Sequence, residues 1–567
     1  MEADRALTAP RRRWHPVRAA GVAAVAVIVL SPLALVLYQS LLDNPFFMPS
    51  AAFSRDAYEY VLTDSDFHSA LITTATIAFG MTAIAMPLGG ILAFLVSRTD
   101  LPGRRWVEPM LLVPIFLSPV VVAFGYVVAV GPVGFLSLWT KDLIGFIPWN
   151  LYSIEGLILI AGLTHVPHVY LYTSSALRSL NPEVEEAART AGASVMRVAL
   201  TVSLPLVMPA LVFSGVLIFF LGFELFGLPL VLGDPAGLLV LTTYLYKLTN
   251  LLGTPSYHLM AVVAVFIVVV TLPLVLLQRH LLRAGERYIT VKGKGMAARP
   301  LSLGRYRWLA LGIVLAWLFV TVVVPLSGVV LRSFVSTWGE GVRITDVLTV
   351  AHFHELLEYP NLVRGIINTL LIASIGGAFA VACYALIALI AHRWKSTGAM
   401  FLDYIVMMPR ALPGLIAGLA FLWIFLFFKP LVPLRSTLFS LWLAYTVVWL
   451  AYGLRLISSS LYQVSPDLEE AARVAGASVG RSYRDVTVPL IRFGLLGSWL
   501  LMFMIFCREY STGVYLLGPG TEVIGSLIVS LWGTGALDLI SALSVVNVVL
   551  IGIALAIALR LGVRLHA

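Results

Sequence analysis

Cysteine is almost absent. The chain has two, Cys383 and Cys507, both inside apolar runs. That leaves no material for a disulfide framework or a Cys-based metal site, and both read as buried spectator thiols. Charge is scarce as well: Asp, Glu, Lys and Arg make up 12% of the 567 residues, against about 25% in soluble globular chains. A soluble protein of this length would have far more polar surface to cover. No GxxxxGK[ST] phosphate loop occurs, and the glycine-rich VKGKGM at 291–296 lacks that spacing, so the chain is not expected to hydrolyse ATP. No Ser/His or His/Glu constellation at one depth points to a membrane-embedded enzyme.

What is present in quantity is apolar. Hydrophobic residues reach 60% and the mean hydropathy is +0.94. Runs such as 257–278 and 308–331 exceed the roughly 20 residues that cross a bilayer as a helix. They do not alternate over about ten residues as barrel strands do. The expected fold is therefore all-α, a membrane protein of about twelve transmembrane helices. Six lie near 17–41, 69–97, 107–130, 152–178, 203–232 and 257–278. Six more lie near 308–332, 366–392, 401–428, 437–459, 490–516 and 538–559. The apolar stretch from Val17 is too long for a signal-peptide core and reads as a retained first helix. The net charge of +9 fits basic cytoplasmic loops rather than nucleic-acid binding. Placing both termini in the cytoplasm puts most Lys and Arg inside, including the basic linker around 279–307. Outer loops 42–68 and 333–365 carry few basic residues and are aromatic-rich, a possible docking surface for an external protein.

The sharpest feature is a repeat. EEAARTAGAS (Glu185–Ser194) recurs as EEAARVAGAS (Glu469–Ser478), 284 residues later and one letter different. The match extends without gaps from 182–206 to 466–490, and LLVPIFLSPVVVAFG (111–125) resembles VMMPRALPGLIAGLA (406–420). The chain reads as two six-helix halves, 1–282 and 308–567, joined by the linker 283–307. With an even number of spans each, the halves insert the same way up, related by a pseudo-twofold axis along the membrane normal. A pathway then falls between them, and both repeat loops (about 180–206 and 464–490) face the cytoplasm.

Each copy reads as a helix, a turn and a second helix. Asn181 and Ser465 are N-caps, Pro182 and Pro466 take the first helical position, and acids crowd the first turn. Gly192 and Gly476 stop the helix, and Ser194 and Ser478 cap the next one. The Ala pairs leave a thin surface that a partner can approach closely. A solvated hairpin has no reason to keep nine letters in ten, whereas a loop gripped twice by one partner does.

Glu186-Ala187-Ala188, Gly192 and Leu204-Pro205 resemble the EAA loop of the membrane subunits of type I binding-protein-dependent ABC importers. Glu470-Ala471-Ala472, Gly476 and Val488-Pro489 form the second copy, with Val488 where Leu is usual. The resemblance covers nearly the whole chain. It implies that Glu185, Glu186, Ala187, Ala188 and Gly192, with Glu469, Glu470, Ala471, Ala472 and Gly476, couple the chain to two copies of a cytoplasmic ATPase. ATP and Mg would then sit on that partner, with no cofactor in this chain, and an extracytoplasmic solute-binding protein would deliver the cargo. The fused, double-length layout and the stretch 508–535 are similar to the ferric-iron permeases of the bacterial inner membrane. Thiamine, polyamine and phosphonate permeases are relatives with similar loops. An ATP-independent secondary transporter or channel is the more distant alternative, usually marked by paired ionisable residues at broken helices.

Ionisable residues inside spans mark candidate pathway or gate positions, since a charge at a helix centre costs roughly 2.5–3.5 kcal/mol. Glu224 and Glu509 occupy nearly equivalent places after the two loops. About 20 residues beyond each loop corresponds to ~30 Å, near the outer end, where a carboxylate would meet a ferric ion or simply reach water. Arg410 lies nearer mid-membrane, as a gate or a structural partner. Arg508 neighbours Glu509 but points to another helix face. His165 and His168 have an i,i+3 metal-like spacing, but Pro167 is expected to distort that face. Their second-half counterparts are Trp449 and Tyr452, so packing is the favoured role and any metal ligand set is unknown.

Overall fold

The computed structural model describes residues 16–250, 255–285, 300–392 and 397–562. The basic N-terminal residues 1–15, the linker stretch 286–299 with VKGKGM, and the cytoplasmic segment 393–396 lie outside the described residues. Among the described residues the regular structure is helical, with three isolated bridges and no strands. Ten helices are long and apolar enough to cross a bilayer, and two bent pairs raise the number to twelve. An all-α membrane protein of two six-helix halves is therefore the observed architecture.

Proline explains where the structure departs from the expected spans. The span expected at 107–130 is broken into Arg104–Met110, Val113–Phe116 and Pro119–Val130, with Pro109, Pro114 and Pro119 along it. Its second-half counterpart breaks likewise: Tyr404–Arg410 and Gly414–Phe427 meet at 108°, at Pro409 and Pro413. A proline removes a backbone donor and clashes with the preceding turn. Elsewhere proline only widens a helix. The π-helical turns Ala199–Ser203, Phe319–Val323 and Tyr483–Thr487 each end two residues before a proline (Pro205, Pro325, Pro489), so the turn relaxes where the ring would collide. The spans expected at 203–232 and 490–516 end earlier, as helices Leu204–Glu224 and Val488–Arg508. The chain then turns back into buried segments rather than leaving the protein. Pro167, expected to distort its helix, is contained in the unbroken helix Ile154–Ser179.

The halves exchange their first helices. Helix Pro16–Ser40 packs against its own half's Tyr257–Gly285 and against Gly414–Phe427 of the other half. Helix Val324–Ser333 packs against its own Leu537–Arg560 and against Pro119–Val130 of the first half. The two arrangements correspond element for element, as a pseudo-twofold requires. At the second crossing the backbones touch: a Cβ on Gly125 would lie 2.3 Å from the Pro325 carbonyl oxygen, and one on Gly328 would lie 2.6 Å from the Gly125 oxygen. Small residues permit this close approach, and packing of this kind holds membrane helices together.

Candidate functional site

The two repeat loops have the same geometry. Helices Pro182–Thr190 and Pro466–Val474 begin on Asn181 and Ser465, whose side chains accept from Glu183 N (3.1 Å) and Asp467 N (3.3 Å). Both end in a glycine with positive φ, +86° at Gly192 and +92° at Gly476. There Gly192 N donates to Arg189 O and Ala193 N to Ala188 O, and Gly476 and Ala477 repeat the pattern. This pair of bonds satisfies carbonyls that a helix end otherwise leaves open. Ser194 and Ser478 then cap the next short helix by accepting from Arg197 N and Arg481 N.

The structure divides each glutamate pair. Glu185 and Glu469 turn inward and are buried. Glu186 and Glu470 are exposed beside exposed Ala187 and Ala471 and half-buried Ala188 and Ala472. Adjacent helical residues face different directions, so one carboxylate of each pair anchors the loop and the other is displayed. Glu185 takes a forked ion pair from Arg98 and a hydrogen bond from Ser203 Oγ (2.7 Å). Glu469 accepts from Thr487 Oγ1 at 2.8 Å. Sequence reasoning missed Arg98, Ser203 and Thr487. A signal was present: a hydroxyl residue stands 18 positions after the buried glutamate in both copies, just before Leu-Pro or Val-Pro.

Arg98 also anchors the far end of the linker. Its carbonyl accepts from Leu301 N (2.7 Å), Asp100 N donates to Leu301 O (3.1 Å), and Asp100 Oδ1 accepts from Leu303 N (2.8 Å). Residues 300–303 are thereby docked on the turn that holds the first loop.

The four ionisable residues singled out inside spans converge on the seam between the halves. Glu224 and Arg508 are the last residues of two 21-residue helices and stand 284 positions apart. The true counterpart of Glu224 is therefore Arg508, not Glu509, and the seam carries opposite charges at equivalent places. The two carboxylates are not free outer-surface groups either. Glu509 is buried, and the segment 225–233 that follows Glu224 is buried throughout. Both helices end beneath re-entrant chain, which the ~30 Å length argument had no means to register.

The carboxylate of Glu509 is engaged by the turn that follows it. Oε1 accepts from Ser511 Oγ (3.0 Å), Thr512 N (3.1 Å) and Thr512 Oγ1 (3.1 Å), and Oε2 accepts from Trp449 Nε1 (3.0 Å). Arg508 reaches across the seam, donating to the Ile115 carbonyl and lying 5.6 Å from the Trp449 ring centre. Ile115 is the first-half counterpart of Arg410. Arg410 reaches the other way, 5.9 Å from the Phe220 ring, and lies within electrostatic reach of Glu224. The two contacts are related by the pseudo-twofold and differ in chemistry.

His165 and His168 stack with ring centres 5.5 Å apart. His165 Nδ1 bonds the Ala161 carbonyl at 2.7 Å, while His168 Nδ1 is buried without a partner. Among the described residues no group of three or more His, Cys, Asp or Glu stands where it could hold a metal ion. Trp449 and Tyr452 pack edge to face, 6.2 Å apart.

A family model described as "Binding-protein-dependent transport system inner membrane component" matches residues 85–284 and 384–566. The chain is 24% identical over 505 residues to a ferric transport system permease protein of Haemophilus influenzae, covering 87% of this chain and 76% of that one. It is 24% identical over 474 residues to a ferric transport system permease of Actinobacillus pleuropneumoniae, covering 83% of this chain and 66% of that one. A molybdenum transport system permease of Escherichia coli is 30% identical over 159 residues, which are 28% of this chain and 68% of that protein.

Proposed function

The chain belongs to the family of binding-protein-dependent transport system inner membrane components, and from that membership we propose how its parts act. It is a multi-pass transport permease of the ABC-importer class, and such permeases are not enzymes. Its solute pathway runs along the seam between the halves 1–282 and 308–567. Two copies of an ATPase carrying ATP and Mg dock on the loop helices Pro182–Thr190 and Pro466–Val474, both at the cytoplasmic face with the two termini. An extracytoplasmic solute-binding protein docks on the opposite face.

One observation carries this reading. Two near-identical capped helices each turn one glutamate inward to lock the loop and display the next glutamate beside exposed alanine. A rigid, thin, twice-presented helix is what a push from a partner requires. The inward glutamate passes the motion to the membrane helices: Glu185 through Arg98 to helix Ser65–Arg98, and through Ser203 to the helix that ends at Glu224. Ferric iron is the solute favoured by the two relatives that match over most of this chain. Polyamine and phosphonate, whose permeases also match, are the alternatives. An ATP-independent transporter has no use for the twin loops.

The test is uptake of radioactive ferric iron by iron-starved cells with and without the gene, with ATP depletion as control. ATP-dependent uptake is expected to disappear with the gene. It should return with the intact gene but not with Glu186→Ala/Glu470→Ala, while the ATPase still copurifies with that variant. Full uptake in the double variant overturns the coupling assignment. Unchanged iron uptake in the deletion, with no other iron importer present, removes iron and leaves the importer class standing.

A further inference from the structure

The two buried arginines of the seam are satisfied unequally. Arg508 has the Ile115 carbonyl. Arg410 has no such partner: its Nε is buried without a hydrogen bond among the described residues, and Glu224, though within electrostatic reach, forms no ion pair with it. Arg410 instead opens, together with Arg455, onto a crevice of about 60 Å³ whose other polar walls are Gln278 and Tyr404. Gln278 belongs to the first half and the other three to the second, so the crevice lies on the seam. Its remaining lining is apolar, including Leu272 and Met407, and no Asp or Glu lines it. The two guanidinium groups are close enough to repel each other.

Like charges held together at membrane depth persist when something of opposite charge shares the site. A guanidinium presents forked N–H donors that match the two oxygens of a phosphate-type or carboxylate group. Arginine lining is how pores favour anions. A bare trivalent cation would be driven out of this crevice.

We propose that Arg410 and Arg455, with Gln278, form an oxyanion-binding station on the pathway between the halves. The cargo therefore passes as an oxyanion, or as a metal ion carried with one. This rests on the permease reading above and names the chemical class of its solute. The same chemistry would also recognise the phosphate of an anionic lipid entering from the cytoplasmic leaflet, and the test separates the two sources.

The full chain is purified with its ATPase in detergent and stripped of anionic lipid. Its melting temperature is then titrated with inorganic phosphate at constant ionic strength. A saturable rise is expected, with half-saturation weakened at least tenfold in Arg410→Gln and in Arg455→Gln. Arg455 is exposed, so its variant tests the site even if the buried one fails to fold. Arg305→Gln, on the exposed turn at the end of the linker, is expected to titrate like the wild type. The second arm compares discs of pure phosphatidylcholine with discs containing cardiolipin. If only cardiolipin stabilises the protein, and only when both arginines are present, the cargo assignment is overturned. If phosphate has no effect, or acts equally on all variants, the station itself is overturned. Copurification of the ATPase is scored in every sample. An intact complex with no phosphate response sinks the station alone, whereas a chain that never binds an ATPase sinks the permease reading.

Discussion

At the scale of the residue, neighbours one position apart have opposite tasks. Glu185 is locked under the loop by Arg98 and Ser203, and Glu186 is displayed. Removing one member of a buried ion pair strands the other charge, which typically costs 3–5 kcal/mol. Arg98→Ala is therefore expected to destabilise the purified protein by about that amount, read as a drop in thermal or denaturant midpoint. Glu186→Ala, at an exposed position, is expected to stay within about 0.5 kcal/mol of wild type while losing coupled transport. A destabilisation of equal size in both variants would contradict this division. The EAA letters themselves are plain in the sequence. Which glutamate faces inward is not, because it depends on Arg98, 87 residues away.

At the scale of the element, the loop helices stop where they do because Gly192 and Gly476 take left-handed backbone conformations. That conformation costs an ordinary residue roughly 1–2 kcal/mol. Gly192→Ala and Gly476→Ala are each expected to lower stability by about that much and to weaken ATPase copurification, measured side by side with the wild type. The crossing of Pro119–Val130 over Val324–Ser333 admits no side chain, since a Cβ on Gly125 would lie 2.3 Å from a carbonyl oxygen. Gly125→Leu is expected to push the halves apart, seen as poor yield and early aggregation on size exclusion. A well-folded Gly125→Leu protein with normal melting would refute that packing account. Caps, prolines and glycines made these elements readable in advance. The broken spans at 107–130 and 401–428 were readable only in part, because a proline marks a break but not the angle at which the pieces meet.

At the scale of the whole molecule, buried polar contacts tie re-entrant chain to the helices beside it. Glu522 takes a forked pair from Arg364, Nε to Oε2 at 2.9 Å and Nη2 to Oε1 at 2.6 Å, and accepts from Gly520 N at 2.9 Å. Asn368 holds the same loop through the carbonyls of Gly520 and Glu522. The Arg364 hydrogen bond holds the Glu522 carboxyl below the usual carboxylate range. A carboxylate lowered on folding contributes stability above its unfolded pKa, ~4.3 for Glu, and loses it as pH falls through the lower folded value. The wild type is thus expected to lose melting temperature more steeply than Glu522→Gln as pH drops below about 4.3, with the two curves converging at the acid end. Parallel curves across that range would rule the pair out as a contributor.

Local chemistry accounts for what the sequence determined alone. Long apolar runs require helices in a bilayer because every backbone polar group must be satisfied within the segment. A ten-letter repeat at half the chain length requires two like-oriented halves. Asn, Ser, Pro and Gly at fixed offsets require the two capped loop helices. Tertiary structure decided the rest. It paired Glu224 with Arg508 as equivalents, buried Glu509 under a turn, turned Glu185 inward, and brought Arg410 and Arg455 to a crevice opposite Gln278. Each of these depends on contacts between segments far apart in the chain, where direction and distance are set by how helices cross rather than by which residue follows which.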